Sequence, residues 1–413
     1  MRTLVFLLSL VLIFTIPWEN SIVVGDLGSI SRAIGLLVMG GWILAVAVTD
    51  KIRQIRPFHL LVALFVLWNV ASVLWSVDID GTLVRIGTYF QNALMVLIIW
   101  DIYTTPATLR AGLQIYVVGA SVSIVGLVLN FLSLDYAGYR RFSAANLDPN
   151  DLGMRLVIGI VIAWYLIIST TNYRRTWMLS LFNYIYVAIG IFAVILTASR
   201  TAFVGLLLAS LYIVLSFSQF KFITRIVSYF ALIGILVILL SLVPQSSWER
   251  LGETQASISQ GNLTGRVDIW TEGLVLFAEH PILGVGSGAF RAAITLNQPP
   301  HNVFISTLTE TGMIGLFLFV MTLAASVYQI RFLPRLEARL WLFLFLTWVI
   351  GASTLNWEYK KHTWLILNLI VVASATVTQD SLIQRSTQFG SVVPLPRWSD
   401  ITSRHIQQTV SET

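Results

Sequence analysis

RVDIWTEGLVLFAEHPILGVGSGAFRAAITLNQPPHNVFISTLTETGMIG, residues 266–315, is the stretch on which the reading of this chain turns. Val267, Trp270, Leu274 and Phe277 share one face at helical spacing, which predicts an amphipathic helix over Arg266 to Glu279. Gly284, Gly286 and Gly288 follow. No strand precedes them and no dinucleotide-fold context fits, so they are read as a tight backbone path that can approach a ligand closely. Pro299 and Pro300 stiffen the approach to His301. His301 or Asn302 then caps the apolar helix behind it, whose first N–H groups and dipole favour anions. A positive helix end disfavours imidazolium, so His301 is expected to be neutral and able to take a proton. Glu310 is the one charge in the next turns, about 13 Å along the helix at 1.5 Å per residue. Nine residues rotate a helix through about half a turn. Glu310 therefore leaves the face of His301 and is read as a structural partner for an arginine. Gly312 and Gly315 are read as close helix packing.

Outside this stretch the chain is mostly apolar. Of 413 residues, 56% are hydrophobic and 11% charged, with a mean hydropathy of +0.80; a soluble domain carries about 25% charged residues. The expected class is all-α and polytopic. Apolar runs lie at Leu4–Ile16 and at 30–48, 58–75, 84–100, 110–132, 152–169, 179–197, 201–218, 223–243, 302–329, 337–352 and 362–378. That makes about twelve, each near the roughly 20 residues a bilayer requires. The first run has no small-residue cleavage site behind it and is read as an uncleaved span. The expected organisation is a membrane domain over 1–243, a large helical outer loop over 244–300, a second membrane part over 301–378, and a disordered tail over 379–413. Cysteine is absent, which excludes thiol chemistry and disulfides, and the five histidines never pair at ligand spacing.

The basic residues sort by side. Fifteen Lys and Arg fall in one set of loops and in both termini, against eleven in the other set. The positive-inside rule then places both ends in the cytoplasm and 244–300 outside. Several outside arginines sit at membrane boundaries: Arg140, Arg141, Arg155, Arg200 and Arg266. Arg32 and Arg85 are read as snorkelling to lipid headgroups. Arg200, which opens a span after a tight turn, and Arg266 call for an anionic partner. Asp148 and Asp151 flank Pro149-Asn150 and are read as a turn and helix cap in preference to a cation site.

Taken together these motifs resemble the O-antigen ligase and polymerase family of bacterial envelope glycosyltransferases. His301-Asn302, nine residues, Gly312, two residues, Gly315 matches that family's histidine motif at every position. Arg266 with Trp270, His280-Pro281, and Gly284, Gly286, Gly288 and Phe290 match the block before it. Ser199-Arg200 resembles the arginine motif, with Val204 where leucine is often found. Tyr139-Arg140-Arg141 followed by Asp148-Pro149-Asn150 resembles the upstream block.

The resemblance implies a GT-C-like membrane fold and transfer of a glycan from a polyprenyl diphosphate. The acceptor would be the hydroxyl of lipid A–core or another glycolipid, on the periplasmic side of a bacterial inner membrane. His301 would be the base. Arg200, Arg266, Arg141 and Arg140 would hold the diphosphate, with Asn302, Glu310 and Trp270 in support. Direct displacement would invert the anomeric centre. No metal, cofactor or nucleic acid is implied. A ligase is the first reading, a polymerase of the same family the second. A transporter is the third; it is opposed by the lack of an inverted repeat and of broken helices at matching positions in two halves.

Overall fold

Every one of the twelve apolar runs becomes a helix in the computed structural model, which describes residues 1–23, 25, 28–133, 141–169, 177–219, 222–252 and 265–390. The helices are α1 (Arg2–Thr15), α2 (Ile30–Thr49), α3 (Pro57–Ala71), α4 (Ile79–Ile102), α5 (Pro106–Ser133), α6 (Pro149–Ser169), α7 (Trp177–Leu196), α8 (Arg200–Ser216) and α9 (Phe222–Ser241). Then come α10 (Gln245–Gly252), α11 (Arg266–Glu279), the short α12 (Phe290–Ala293), α13 (Val303–Val327), α14 (Arg335–Ala352) and α15 (Lys361–Gly390). Among the described residues nine helices are long and apolar enough to cross a membrane, or ten if the chain bent by 100° between α9 and α10 forms one broken span. Two of the twelve runs fall short for simple reasons: α1 is short, and α14 opens on Arg335, Glu337 and Arg339. The protein is an all-α polytopic membrane protein.

The centre is α6. Its sequence GMRLVIGIVIAWYLII is apolar all round, and it is buried along nearly its whole length against α5, α7, α8 and α14. α15 is similarly enclosed from Lys361 onward and continues as a helix to Gly390, past the point where the sequence loses apolar periodicity. Residues 391–413 lie outside the described residues.

Two arginines depart from the snorkelling expectation or its analogue. Arg155 is fully buried and pairs with Asp151 at 2.5 Å, with Glu19 at 3.9 Å. Glu19 also takes Lys361 at 2.7 Å and the Ser31 hydroxyl at 2.7 Å, and Trp357 Nε1–H donates to Asp151 at 2.7 Å. Arg85 reaches Glu310 at 3.5 Å and Glu358 at 3.2 Å. Each sits among the ends of several helices, so an interior carboxylate is nearer than any headgroup.

α11 forms over the residues expected, but its buried face is rotated. Ile269, Gly273 and Leu276 pack on Phe290, Ile294 and Ile305, while Val267 and Leu274 are exposed. Helical spacing alone could not choose between two adjacent apolar stripes; the buried one carries the small Gly273, whose missing Cβ would stand only 2.9 Å from the Phe290 ring.

α13 is not one continuous helix. Gly312 has φ 67° and ψ −169°, which cuts it into Val303–Thr311 and Met313–Val327. A break frees carbonyls that must find other donors. Val285 N–H donates to Thr309 O at 3.0 Å, Gly286 N–H to Glu310 O at 2.9 Å, and Trp68 Nε1–H to Thr311 O at 2.9 Å. Met313 N–H in turn donates to Pro281 O at 2.9 Å. A Cβ on Gly312 would strike the Ile282 carbonyl, and one on Gly284 would strike the backbone at Glu310. The glycine block thus lies against another piece of the chain. The helix-packing reading of Gly312 is corrected by this break.

Candidate functional site

The site is assembled from the ends of four segments. On the first, Asn302 is the N-cap of α13: its Oδ1 accepts from Phe304 N–H at 2.9 Å and Ile305 N–H at 3.2 Å, and its Nδ2 donates to Ser353 O at 3.3 Å. His301, immediately before, takes φ 49°, a left-handed conformation uncommon for a side chain of this size. Trp270 on α11 holds that turn by donating its indole N–H to Pro300 O at 2.7 Å. The second segment is the start of α11, where Arg266 lies close enough to act on His301. Burial first, and then Arg266, hold the His301 imidazole below its ordinary value, while Asp148 pulls it upward. The ring is therefore neutral near pH 7, with a nitrogen able to accept a proton.

The third segment leads into α6. Asp148 caps this helix, its Oδ1 accepting from Asn150 N–H at 2.9 Å and Asp151 N–H at 3.2 Å. Arg141 donates to Asn150 Oδ1 at 2.8 Å and to Thr197 O at 3.4 Å. The fourth segment is the turn between α7 and α8. Ala198 at φ 45° makes it tight, Ser199 caps α8 by accepting from Ala202 N–H at 3.3 Å, and Arg200 is the first residue of the helix. Arg141 is thus tied to the arginine-motif turn, and Phe142 N–H donates to Leu196 O at 3.1 Å beside it. No side-chain contact brings Arg200 itself to Arg141, Arg266 or Asp148 among the described residues. Arg140 lies outside the described residues.

The electrostatics are one-sided. Burial lowers the guanidinium of Arg141, with Arg250 and Arg266 adding repulsion and Asp148 opposing. Burial likewise lowers Arg266, again opposed by Asp148. Asp148 is the carboxylate that Arg141, Arg266 and His301 all feel. The Nε atoms of Arg200 and Arg250 are both shut from solvent and without a hydrogen-bond partner among the described residues. Three guanidiniums, Arg141, Arg250 and Arg266, against one carboxylate suit an anion, and a neutral imidazole at their edge adds a proton acceptor. Arg250, on α10, is a member that the sequence did not single out. It stands in a polar stretch read as the start of a loop, and only its place next to Arg141 distinguishes it.

Behind this site lies a second charged centre. Arg85 is shared by Glu310 and Glu358, and its guanidinium lies 3.9 Å from the centroid of the Tyr359 ring. Gly288 N–H donates to Glu310 at 2.8 Å and the Ser306 hydroxyl to Glu358 at 2.9 Å. These bonds tie the glycine block and the first half of α13 to α4 and the 353–360 segment. Burial pushes the Glu358 carboxyl up to about 7, Arg85 pulling it down and Glu310 pushing it further up. Glu310 therefore has an arginine partner and a main-chain donor, and it belongs to the frame beneath His301.

The comparisons with known proteins follow this geometry. Residues 185–320, which include Arg200, Arg266, the glycine block and His301, match a family model described as O-antigen ligase. Over 379 residues the chain is 23% identical to an O-antigen polymerase of Salmonella muenchen, covering 88% of this chain and 87% of that protein.

Proposed function

We propose, for a chain that belongs to the O-antigen ligase/polymerase family, that it transfers a glycan from a polyprenyl diphosphate to an acceptor hydroxyl at the outer face of a bacterial inner membrane. His301 accepts the proton of the acceptor hydroxyl as that oxygen attacks the anomeric carbon. The bond from that carbon to the diphosphate oxygen breaks, and the electron pair leaves with the diphosphate. Arg141, Arg200 and Arg266, joined by Arg250, stabilise the departing charge. Attack from the face opposite the leaving group inverts the anomeric centre. General-base assistance contributes about 10²–10⁴-fold, and fixed cations in a dry site are usually the larger contribution. Both termini are cytoplasmic in this reading.

The observation that carries it is the one-sided cluster: a neutral, half-buried His301 next to Arg266, in a group of guanidiniums that has one carboxylate. The first reading of the acceptor is lipid A–core, as for a ligase. The second, a further lipid-linked repeat as for a polymerase, is favoured by the similarity that runs along nearly the whole chain to a Salmonella muenchen protein of that name. The test is transfer in vitro, with EDTA present, from a polyprenyl-diphosphate glycan to each acceptor in turn. Product on lipid A–core alone supports the ligase; chain growth without it supports the polymerase; no product with either acceptor overturns the transferase reading.

A further inference from the structure

At the opposite end of the bundle lies a cleft of about 760 Å³ bounded by the start of α1, the link between α2 and α3, and the link between α4 and α5. The geometry points to a binding site there for an anionic phospholipid, its phosphate held by Lys51 and Arg53 and its chains laid along the outward side of α1.

The wall is fixed. Residues 51–56 form no helix, yet they are pinned at several points. Arg53 N–H donates to Asp101 Oδ1 at 2.8 Å, and its guanidinium donates to Trp100 O at 3.0 Å and Tyr103 O at 3.2 Å. Trp100 Nε1–H donates to Gln54 O at 3.1 Å, and Arg2 donates to Lys51 O at 3.2 Å. A link held this way presents its charges without first having to be ordered.

The charge left over is positive. Asp101 is already engaged by the Arg2 guanidinium, by Trp42 Nε1–H at 3.0 Å and by the Arg53 backbone. The guanidiniums of Arg53 and Arg56 both lie on the one Trp100 ring, 3.8 and 5.4 Å from its centroid. Burial, followed by repulsion from Arg56, pulls Arg53 down to about 10. An anion in the cleft beside Arg53 offsets that repulsion. Lys51 is exposed at the rim. Asp50, also exposed in the lining, opposes the anion and so supplies a handle for testing it.

The apolar part selects a lipid over a free anion. Phe6, Ile52 and Ile102 line the cleft, and Leu4, Leu7 and Ile55 continue the apolar surface outside it. A headgroup phosphate with acyl chains matches both parts; inorganic phosphate matches one.

The test is native mass spectrometry of the full chain in detergent, titrated with phosphatidylglycerol, phosphatidylcholine or glycerol phosphate. Phosphatidylglycerol is expected to bind at several-fold lower concentration than phosphatidylcholine. Lys51→Gln should weaken it by about fivefold, since one cation near a headgroup is worth roughly 1 kcal/mol. Lys51→Arg should restore it, and Asp50→Asn should tighten it by a similar factor. Equal binding of the two lipids, or no change with both Lys51→Gln and Asp50→Asn, overturns the proposal. Displacement of the lipid by glycerol phosphate alone overturns the assignment to a lipid.

Discussion

The structure holds two basic centres of opposite character. In the interior, Arg155 and Lys361 meet Asp151 and Glu19, and Ser31 and Trp357 donate to the same carboxylates. Near the His301 turn, Arg141 and Arg266 feel the single carboxylate of Asp148, and Arg250 adds its charge beside Arg141. The first centre is closed by opposite charges from α1–α2, α6 and α15, so it specifies how those elements meet. The second is short of negative charge, and nothing in the fold requires that surplus. Buried pairs alone do not identify a site; the uncompensated cluster beside a proton acceptor is what the proposed function rests on.

Substitutions should separate the two centres. His301→Ala is expected to leave a folded, inserted protein whose transfer rate is about 10²–10⁴-fold lower, measured with the lipid-linked donor and compared with melting in detergent. Unchanged transfer would remove the mechanism. Asp151→Ala should do the reverse. Leaving Arg155 buried with only the more distant Glu19, at 3.9 Å, should cost up to about 3–5 kcal/mol of stability, seen as a lower melting temperature, whereas a melting curve like the parent's would make the Asp151 pair dispensable. Gly312→Ala should be poorly folded because of its positive φ and the Ile282 carbonyl in its way. The matched control Gly40→Ala, in open space within α2, should gain up to about 1 kcal/mol.

The smallest effects concern pH. Asp148 raises the His301 value and Arg266 lowers it. Asp148→Asn, which keeps a capping side chain, should therefore move the acid limb of the rate profile to lower pH, and Arg266→Gln should move it to higher pH. Movement in the same direction for both would show that His301 is not the titrating base. Glu358, raised from 4.5 to about 7, binds a proton more tightly in the folded chain than in the unfolded one. Its contribution to stability is present below about 4.5 and is lost as pH rises through about 7. In Glu358→Gln the melting temperature should lose that portion of its pH dependence; an unaltered dependence would assign it to another group.

Much of this was legible in the sequence. Except that the last helix continues twelve residues past its run to Gly390, the twelve apolar runs mark the helices within a few residues, because a span needs length and hydrophobicity and little else. α11 was visible as an amphipathic run, and the prolines before His301 announced the turn. What could not be read depends on partners distant in sequence. Arg85 finds Glu310 and Glu358 more than two hundred residues away. Arg250 gains meaning only when α10 is set against Arg141. The cut in α13 was hidden because glycine at 312 also suits ordinary helix packing, and the donors that complete it come from the glycine block and Trp68.

That cut has a consequence for how the outer part of the chain can change. The seam between 285–286 and 309–310 is made by main-chain groups, which every residue except proline can supply. The seam itself does not use the side chains at Val285, Thr309 and Glu310 and requires missing ones at Gly284 and Gly312, while the Glu310 carboxylate separately ties the join to Gly288 and Arg85. A sequence could exchange many side chains around this join and keep the same alignment of the two segments. The position of His301 can thus be preserved while the surfaces around it diverge.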